Sequence, residues 1–250
     1  MNRIDTLRKW IDECEEGGMV FFGGAGVSTE SGIPDFRSAD GVFVQLEGMS
    51  KEMKLSPEQI ISRSFFDAYP SKFYEFYCDK MLFEDAKPNA AHKKLAELES
   101  QGILSAVITQ NIDGLHEAAG SKKVFDLHGN VHRNYCMACH EFYDSVDVIK
   151  LHKASLDGVP RCDKCGGTIK PDVVLYEESL DSATLNGAIK AIQNSQLLIV
   201  AGTSLVVSPA SGLVRYFNGK HLAIVNLSPT YADAQADLCI QAKIGEVFSW

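Results

Sequence analysis

The chain has 250 residues, with 33 acidic and 24 basic side chains and a formal net charge of −9. This length excludes a peptide-sized binding module and fits one large α/β domain with a small appended module. The negative charge argues against a nucleic-acid partner and suits a cationic one, such as a lysine-rich protein tail. No apolar run approaches the roughly 20 residues of a membrane span, so the expected location is the cytoplasm.

Short apolar runs alternate with helical patterns along most of the chain. Ile4, Leu7, Trp10 and Ile11 share one face of a first predicted helix, and the run Met19–Phe22 is the first predicted strand. The further predicted strands are Ala106–Ile108, Leu197–Ala201 and Leu222–Val225, and the clearest later helices are Ala90–Glu99 and Ser182–Gln193. This order predicts a Rossmann-like, doubly wound parallel sheet with helices on both faces.

Small or hydrogen-bonding residues follow each predicted core strand. They are Gly23-Gly24-Ala25-Gly26, Thr109-Gln110-Asn111, Gly202-Thr203-Ser204 and Asn226. In open α/β sheets, ligands bind just beyond the carboxyl ends of the strands. We therefore expect these four clusters to converge on one crevice.

Two stretches interrupt the strand and helix alternation. Residues 38–87 are rich in Phe and Tyr at helical spacing and predict a small helical insertion, whereas residues 131–171 hold two Cys-x-x-Cys pairs and predict a metal-binding module. The remaining segments 1–37, 88–130 and 172–250 are expected to form the nucleotide-binding domain. We interpret the aromatic residues of the insertion as core rather than as a substrate cage. They are Phe65, Phe66, Tyr69, Phe73, Phe76 and Tyr77.

The segment Gly24-Ala25-Gly26-Val27-Ser28-Thr29 has the G-x-G-x-x opening of a dinucleotide site directly after a strand. Such glycines let backbone N–H groups approach a pyrophosphate. Thr29 replaces the third glycine, and an ordinary turn between a strand and a helix is the alternative. No acidic residue closes a second strand about 20 residues later, which counts against a standard dehydrogenase.

The paired cysteines are Cys136 with Cys139 and Cys162 with Cys165. Two such knuckles supply four thiolates to a tetrahedral zinc with no open position, which is typical of a structural site. A redox Cys-x-x-Cys is the alternative, but the duplicated pairs followed by Gly166-Gly167 favour a zinc ribbon. We expect His140 and His152 to be surface residues.

Several blocks together resemble the signature of the sirtuins, in the form of a compact bacterial catalytic core. They are Gly24-Ala25-Gly26-Val27-Ser28, Gly32-Ile33-Pro34-Asp35-Phe36-Arg37, Thr109-Gln110-Asn111-Ile112-Asp113-Gly114-Leu115-His116, Leu127-His128-Gly129, Gly202-Thr203-Ser204-Leu205 and Val207-Ser208-Pro209-Ala210. The resemblance extends from the first helix to the C-terminus, with the cysteine quartet at the matching place.

The resemblance implies an NAD-dependent protein-lysine deacylase that transfers the acetyl group to ADP-ribose and releases nicotinamide and O-acetyl-ADP-ribose. It implies that His128 is the general base and that Asn111 orients the nicotinamide ribose. It further implies that Ile112 and Asp113 hold the nicotinamide carboxamide. The other cofactor-binding positions that it implies are Gly24, Ala25, Gly26, Thr29, Asp35, Phe36, Arg37, Gln110, Gly202, Thr203, Ser204, Asn226 and Ile244.

These implied roles make physical sense. Cleavage of the nicotinamide–ribose bond develops oxocarbenium character, which the acyl-lysine carbonyl oxygen traps only in an aligned, water-free site. An imidazole near its working pKa can then take a ribose hydroxyl proton. His116 is interpreted as a structural residue or as one that supports the site residues without contacting a ligand, and His92 as a packing or capping residue.

In sirtuins the acyl-lysine peptide adds as a strand between two edges, which match Val173–Tyr176 and Val207–Pro209 here. The implied contacts are Val173, Val174, Tyr176 and Val207. The chain departs from the family pattern at Gly23, where Thr is usual, and at Glu177, where Gly is usual.

Family members that prefer acidic acyl chains carry a Tyr and an Arg three residues apart, and the nearest match here is Tyr77 with Lys80. Lysine lacks the planar fork that grips a carboxylate, so we predict acetyl over succinyl groups.

The expected oligomeric state is a monomer. Two alternative functions remain open. The same pocket would serve mono-ADP-ribosyl transfer or NAD hydrolysis. A non-enzymatic zinc-ribbon adaptor is disfavoured because the Asn111 and His128 blocks are intact.

Overall fold

The computed structural model describes residues 2–250, so Met1, the first residue of the expected nucleotide-binding domain, lies outside the described residues. The strands are β1 Met19–Gly23, β2 Leu104–Thr109, β3 Val124–Asp126, β4 Gly129–Cys136, β5 Phe142–Tyr143, β6 Ile169–Val173, β7 Leu197–Ala201, β8 His221–Val225 and β9 Leu238–Ile240. The α-helices are α1 Arg3–Asp12, α2 Val42–Gln45, α3 Glu47–Met53, α4 Pro57–Ile60, α5 Arg63–Ala68, α6 Pro70–Lys80, α7 Ala90–Ser100, α8 Leu115–Ala119, α9 Ser145–Ala154, α10 Ser182–Gln193 and α11 Ile244–Val247. None of the helices within residues 2–250 has the length and apolar composition that a bilayer crossing requires.

Six parallel strands form the main sheet, in the order β3-β2-β1-β7-β8-β9. The chain builds outward from β1 to β3 and then returns to place β7 on the other side of β1. The strand order therefore reverses between β1 and β7, and such a switch point opens a crevice at the carboxyl ends of the strands. The prediction of a doubly wound α/β fold is confirmed.

The register of the sheet aligns the ends of its four central strands. Gly23 at the end of β1 pairs with Thr109 of β2 and with Ala201 of β7, and Ala201 pairs with Val225 of β8. The residues that follow each strand therefore leave the sheet side by side at one edge. This alignment brings the four predicted polar clusters together.

Alternating side chains of β1 enter two separate cores, because successive residues of a strand point to opposite faces. Met19 and Phe21 pack with α1, α7 and α11, whereas Val20 and Phe22 pack with α10 and the 3₁₀ segment Ala210–Tyr216. All five residues of β1 are buried. The apolar run of this strand thus reflects a sheet that is covered on both faces.

The helical insertion and the cysteine-rich module share a third core. Strands β5, β4 and β6 form a small antiparallel sheet whose buried face packs against the aromatic residues of α5 and α6. The hydroxyl of Tyr74 donates a hydrogen bond to the carbonyl of Ile169 across this contact. We therefore propose that the two insertions predicted separately, 38–87 and 131–171, form one lobe.

The core interpretation of the aromatic series holds for five of its six members. Phe65, Phe66, Phe73, Phe76 and Tyr77 are all buried in this third core. Tyr69 is 48% exposed, so the prediction was wrong for this residue. It lies between α5 and α6, where its φ of −135° and ψ of 55° are not helical and interrupt the two helices.

Candidate active site and metal centre

One cavity of about 570 Å³ opens at the carboxyl edge of the main sheet. It receives residues from the loops after β1, β2, β7 and β8, and from the lobe. The predicted site residues that line it are Gly24, Ala25, Gly26, Thr29, Asp35, Phe36, Arg37, Gln110, Asn111, Ile112, His128, Val173, Val174, Tyr176, Gly202, Thr203, Ser204, Val207, Asn226 and Ile244. Among the predicted site residues outside the cysteine quartet, Asp113 does not line the cavity.

The glycines of the loop after β1 allow two loops to pack closely. The N–H of Gly24 donates to the carbonyl of Ala201 at 3.1 Å, and that of Gly26 donates to the carbonyl of Gly202 at 2.8 Å. A Cβ atom on Gly26 would lie 2.8 Å from the Cα of Gly202, so a side chain cannot fit there. Both of these glycine N–H groups are therefore bonded to neighbouring backbone.

Contacts from behind hold this loop in place. The Asn89 amide Nδ2 donates to the carbonyl of Val27 at 2.8 Å and to the hydroxyl of Ser31 at 3.1 Å. On the other side, the Gly245 N–H donates to the carboxylate of Glu30 at 2.7 Å. The loop is thus fixed between the starts of α7 and α11 before any ligand binds.

A chain of polar contacts joins three strand ends across the cavity. Gln110 Nε2 donates to the hydroxyl of Thr203 at 2.9 Å, and the Thr203 N–H donates to Oδ1 of Asn226 at 3.0 Å. The Asn226 amide returns a hydrogen bond to the Thr203 carbonyl at 2.6 Å. These side chains come from the ends of β2, β7 and β8, so each of them is positioned by the sheet.

His128 lies in the turn between β3 and β4, and its ring is held by one hydrogen bond. Nδ1 lies 2.9 Å from the carbonyl oxygen of Gln110. A carbonyl can only accept, so Nδ1 carries the proton and Nε2 keeps its lone pair. Burial lowers the pKa of His128, and the Gln110 carbonyl partly opposes this shift. At neutral pH the ring is therefore an uncharged base.

Asn111, Ser28 and Asp113 form a buried network beside His128. The Ser28 hydroxyl accepts from Asn111 Nδ2 at 3.0 Å and donates to Asp113 Oδ2 at 2.6 Å. The other Asp113 carboxylate oxygen accepts from the Leu115 N–H at 2.9 Å. Burial raises the pKa of Asp113, and the Ser28 hydroxyl opposes this rise.

The positions of Asp113 and Ser28 differ from what the sequence predicted. Asp113 lines a second, water-sized cavity together with Ile33 and Met81, and it does not line the main cavity. Ser28, which was not among the predicted site residues, is 1% exposed and joins Asn111 to Asp113. Its place within the glycine-rich motif is the sequence signal that could have identified it.

Asp35, Phe36 and Arg37 shape the mouth of the cavity. The Asp35 carboxylate accepts from the N–H groups of Arg37 at 2.9 Å and Ser38 at 2.7 Å, so it stabilises its own turn. The Arg37 guanidinium lies 5.2 Å from the centre of the Phe43 ring. Arg37 lines the cavity and is exposed, and this cation–π contact connects it to Phe43.

The two expected peptide edges both line the cavity, but part of the backbone of Val173–Tyr176 is already paired. The Val174 N–H donates to the His128 carbonyl at 2.9 Å, and the Tyr176 N–H donates to that of Ile61 at 3.1 Å. The Tyr176 carbonyl accepts from the Arg63 N–H at 3.0 Å. A peptide strand that pairs with this segment would therefore use backbone groups other than the Val174 N–H and the two backbone groups of Tyr176.

Tyr77 and Lys80, the nearest match to an acidic-acyl motif, do not line the cavity within the described chain. Tyr77 is 1% exposed in the core of the lobe, and Lys80 pairs with Asp79 at 2.8 Å. Neither side chain is placed to contact an acyl group.

The four paired cysteines converge at the tip of the lobe. The sulfur atoms of Cys136, Cys139, Cys162 and Cys165 all lie within 4.8 Å of one another. Four sulfurs at this spacing fit a tetrahedral zinc, whose Zn–S bonds are about 2.3 Å long. A hydrogen bond from the Tyr143 hydroxyl lowers the pKa of Cys162 to about 6, which favours the thiolate that binds metal. His140 is exposed and His152 is half-buried, and neither belongs to the cluster.

The sheet is doubly wound and has a cavity at its switch point, where a neutral, half-buried histidine lies. Together with the cluster of four cysteines, these features define a nucleotide-dependent enzyme with a structural metal lobe. The sequence profile described as the Sir2 family matches residues 24–209. The NAD-dependent protein deacetylase of Clostridium perfringens is 53% identical over 247 residues, covering 98% of this chain and 97% of that protein. Its counterpart in Clostridium acetobutylicum is 52% identical over 247 residues, covering 99% and 97%. The chain belongs to the Sir2 family.

Solved structures agree with this assignment along the whole chain. A Sir2 complex with p53 peptide and NAD⁺ is 40% identical with a TM-score of 0.84, covering 100% of this chain and 96% of that one. A Sir2 complex with deacetylated p53 peptide and 3′-O-acetyl ADP ribose is 39% identical with a TM-score of 0.87, covering 99% and 96%.

Proposed function

We propose that this protein is an NAD-dependent protein-lysine deacetylase that transfers the acetyl group of acetyl-lysine to ADP-ribose and releases nicotinamide. The observation that carries the proposal is the convergence of the glycine-rich loop, Asn111 and His128 in one cavity at the switch point of the sheet. Relatives that are about half identical over nearly their full length carry this activity in their names.

Different cavity residues are suited to bind different parts of NAD. The linked side chains of Gln110, Thr203 and Asn226 offer donors and acceptors that suit the riboses and adenine. Arg37 offers a cation for the pyrophosphate. Since the Gly24 and Gly26 N–H groups are bonded elsewhere, other groups of that loop, such as Ala25 and Thr29, would face the phosphates.

His128 acts as the base, and its surroundings prepare it for that role. Its lowered pKa keeps the ring neutral at pH 7, and the Gln110 carbonyl fixes the tautomer that presents Nε2. Nε2 would take the proton of a ribose hydroxyl, which promotes attack of the hydroxyl oxygen on the amide carbon of the substrate. Asn111, held by Ser28, would orient the ribose.

Asp113 would act through its neighbours. Its carboxylate fixes Ser28, which in turn fixes Asn111, so its contribution is to orient the side chains that face the nicotinamide ribose. The zinc that the quartet would hold contributes folding stability rather than chemistry, because four cysteines leave no open coordination position.

The acetyl donor of the reaction is an acetyl-lysine peptide or protein. Solved relatives are described as bound to an acetylated peptide and to a propionylated peptide. We propose acetyl over succinyl groups here, because the nearest match to an acidic-acyl motif, Tyr77 with Lys80, lies away from the cavity. Faster turnover of a succinyl-lysine peptide than of its acetyl twin would contradict this preference.

The decisive experiment incubates the purified protein with an acetyl-lysine peptide, with and without NAD. Peptide mass and nicotinamide release are both measured, and we expect loss of acetyl and formation of O-acetyl-ADP-ribose only with NAD. The variant His128→Ala should abolish deacetylation and still bind NAD. Plain ADP-ribose or ADP-ribosylated protein without O-acetyl-ADP-ribose would instead favour hydrolysis or ADP-ribosyl transfer.

We further propose the cytoplasmic location, the monomeric state and the absence of a nucleic-acid partner that the sequence predicts. Size-exclusion chromatography with light scattering tests the second of these directly.

A further inference from the structure

Glu177 stands out at the cavity because its backbone adopts a conformation that glutamate rarely takes. Its φ of 77° lies in the left-handed region, where glycine is the favoured residue. A residue with a side chain is strained at such a position unless its contacts compensate.

Both carboxylate oxygens of Glu177 are fixed by one residue of the lobe. Oε2 accepts from the Ser64 N–H at 2.8 Å, and Oε1 accepts from the Ser64 hydroxyl at 2.9 Å. Ser64 lies in the first turn of α5, where N–H groups have no partner within the helix. The side chain thus bridges the lobe and the segment after β6, and it is held in one place although it is exposed.

The neighbouring charges are neutralised, but the charge of Glu177 is not. Glu178 pairs with Arg63 at 3.0 Å and with Lys170 at 3.0 Å. Within residues 2–250, Glu177 forms no ion pair, because its partners are the neutral groups of Ser64. One fixed, unneutralised carboxylate therefore remains at this rim of the cavity.

The opposite edge of the expected peptide path, Val207-Ser208-Pro209, carries no charge. A peptide that passes between the two edges therefore meets a negative charge on one side only. The other charged residues at the cavity belong to the turns and loops around the predicted cofactor end or are already paired. They are Glu30, Asp35, Arg37, Lys243 and Glu178.

We propose that Glu177 is a specificity-determining residue that selects acetyl-lysine peptides with a basic residue next to the modified lysine. This proposal rests on the proposed function, since it assigns a substrate preference to the same cleft. An exposed pair of opposite charges favours association modestly, which corresponds to roughly a two- to five-fold preference. The preference should shrink as salt screens the charges.

The test compares two acetyl-lysine peptides that differ only in an adjacent Arg or Glu. For the wild-type protein at low salt, we expect kcat/KM to be about two- to five-fold higher for the Arg peptide. The difference should come from a lower KM for the Arg peptide. Equal kcat/KM for the two peptides, or a preference that does not respond to salt, would overturn the proposal.

Two variants distinguish the effect of the Glu177 charge from the effect of its hydrogen bonds to Ser64. Glu177→Gln keeps hydrogen-bonding groups for both partners on Ser64 but removes the charge, so the preference should fall to about one while KM for NAD stays unchanged. Glu177→Gly relieves the left-handed backbone and removes the bridge as well, so KM should rise for both peptides. Full retention of the preference in Glu177→Gln would refute the role of the charge.

The matched control is Glu75→Gln, an equal charge change on an exposed residue of α6 that does not line the cavity. It should keep the wild-type preference. Binding of fluorescein-labelled versions of both peptides, measured by anisotropy, distinguishes the two possible failures. If the protein is an active deacetylase and binds both peptides equally, only the proposed role of Glu177 is refuted. If the protein binds the Arg peptide preferentially but shows no NAD-dependent turnover, only the proposed deacetylase function is refuted.

Discussion

Two histidines buried behind the glycine-rich loop should make the protein sensitive to acid. His92 is fully buried, His116 is 1% exposed, and their ring centres are 4.7 Å apart. Among the described residues, His92 Nε2 and both ring nitrogens of His116 have no hydrogen-bond partner. Burial lowers the pKa of His92 to about 4 and holds the pKa of His116 well below its usual range.

The sign and size of the effect follow from proton linkage. In the unfolded chain His92 titrates near pH 6.5, so between that pH and about 4 the unfolded state binds a proton that the native state excludes. Stability is therefore complete above pH 6.5 and is lost as the pH falls. A single such group removes about 2 kcal/mol from the free energy of unfolding between pH 7 and pH 5, and His116 acts in the same direction.

The informative variant is His92→Gln. His92 Nδ1 accepts the Asn89 N–H at 3.4 Å in the capping box that begins α7, and glutamine is a usual residue at that position. Glutamine therefore preserves the cap and does not titrate. The free energy of unfolding is measured by urea unfolding, followed by circular dichroism, at pH 7 and at pH 5. Its decrease between these two pH values should be smaller in the variant than in the wild type by about 2 kcal/mol.

His221→Gln serves as the control, because His221 is half-exposed and stacks on Trp10. We expect it to lose stability with acid nearly as the wild type does. Parallel losses in the wild type and in His92→Gln between pH 7 and pH 5 would show that proton exclusion by His92 does not govern acid stability.

Further predictions concern the base, the metal and the loop. Because His128 works unprotonated and burial lowers its pKa, the pH profile of kcat/KM should fall only below about pH 6.5, and a midpoint above 7 would contradict this assignment. Cys139→Ser should lose zinc by elemental analysis and lower Tm by roughly 10 °C, whereas a metal-free wild type of unchanged Tm would refute a structural metal. Gly26→Ala should cost about 1–3 kcal/mol and raise KM for NAD, since its Cβ would meet Gly202 backbone at 2.8 Å. The control Gly48→Ala, with open space in α3, should be neutral or stabilising, and equal losses in both would contradict the packing argument.

The local pattern of the sequence determined the elements of the fold and the kind of chemistry. Residues Leu197–Ala201 and Ser182–Gln193 form the predicted strand and helix with the same bounds, because apolar periodicity and end signals are local. The cysteine spacing likewise identified the four residues whose sulfur atoms converge. The type of residue after each strand indicated a single crevice, since parallel strands in a sheet end at the same edge.

Tertiary structure decided how those residues are used. The close approach of the segment after β7 engages the N–H groups of Gly24 and Gly26, and the Asp113 carboxylate accepts a hydrogen bond from Ser28. The hydrogen bonds of Glu177 to Ser64 and the shared core of the two insertions also depend on which distant segments meet. Contacts between residues far apart in the chain follow from register and packing, and no local pattern records them.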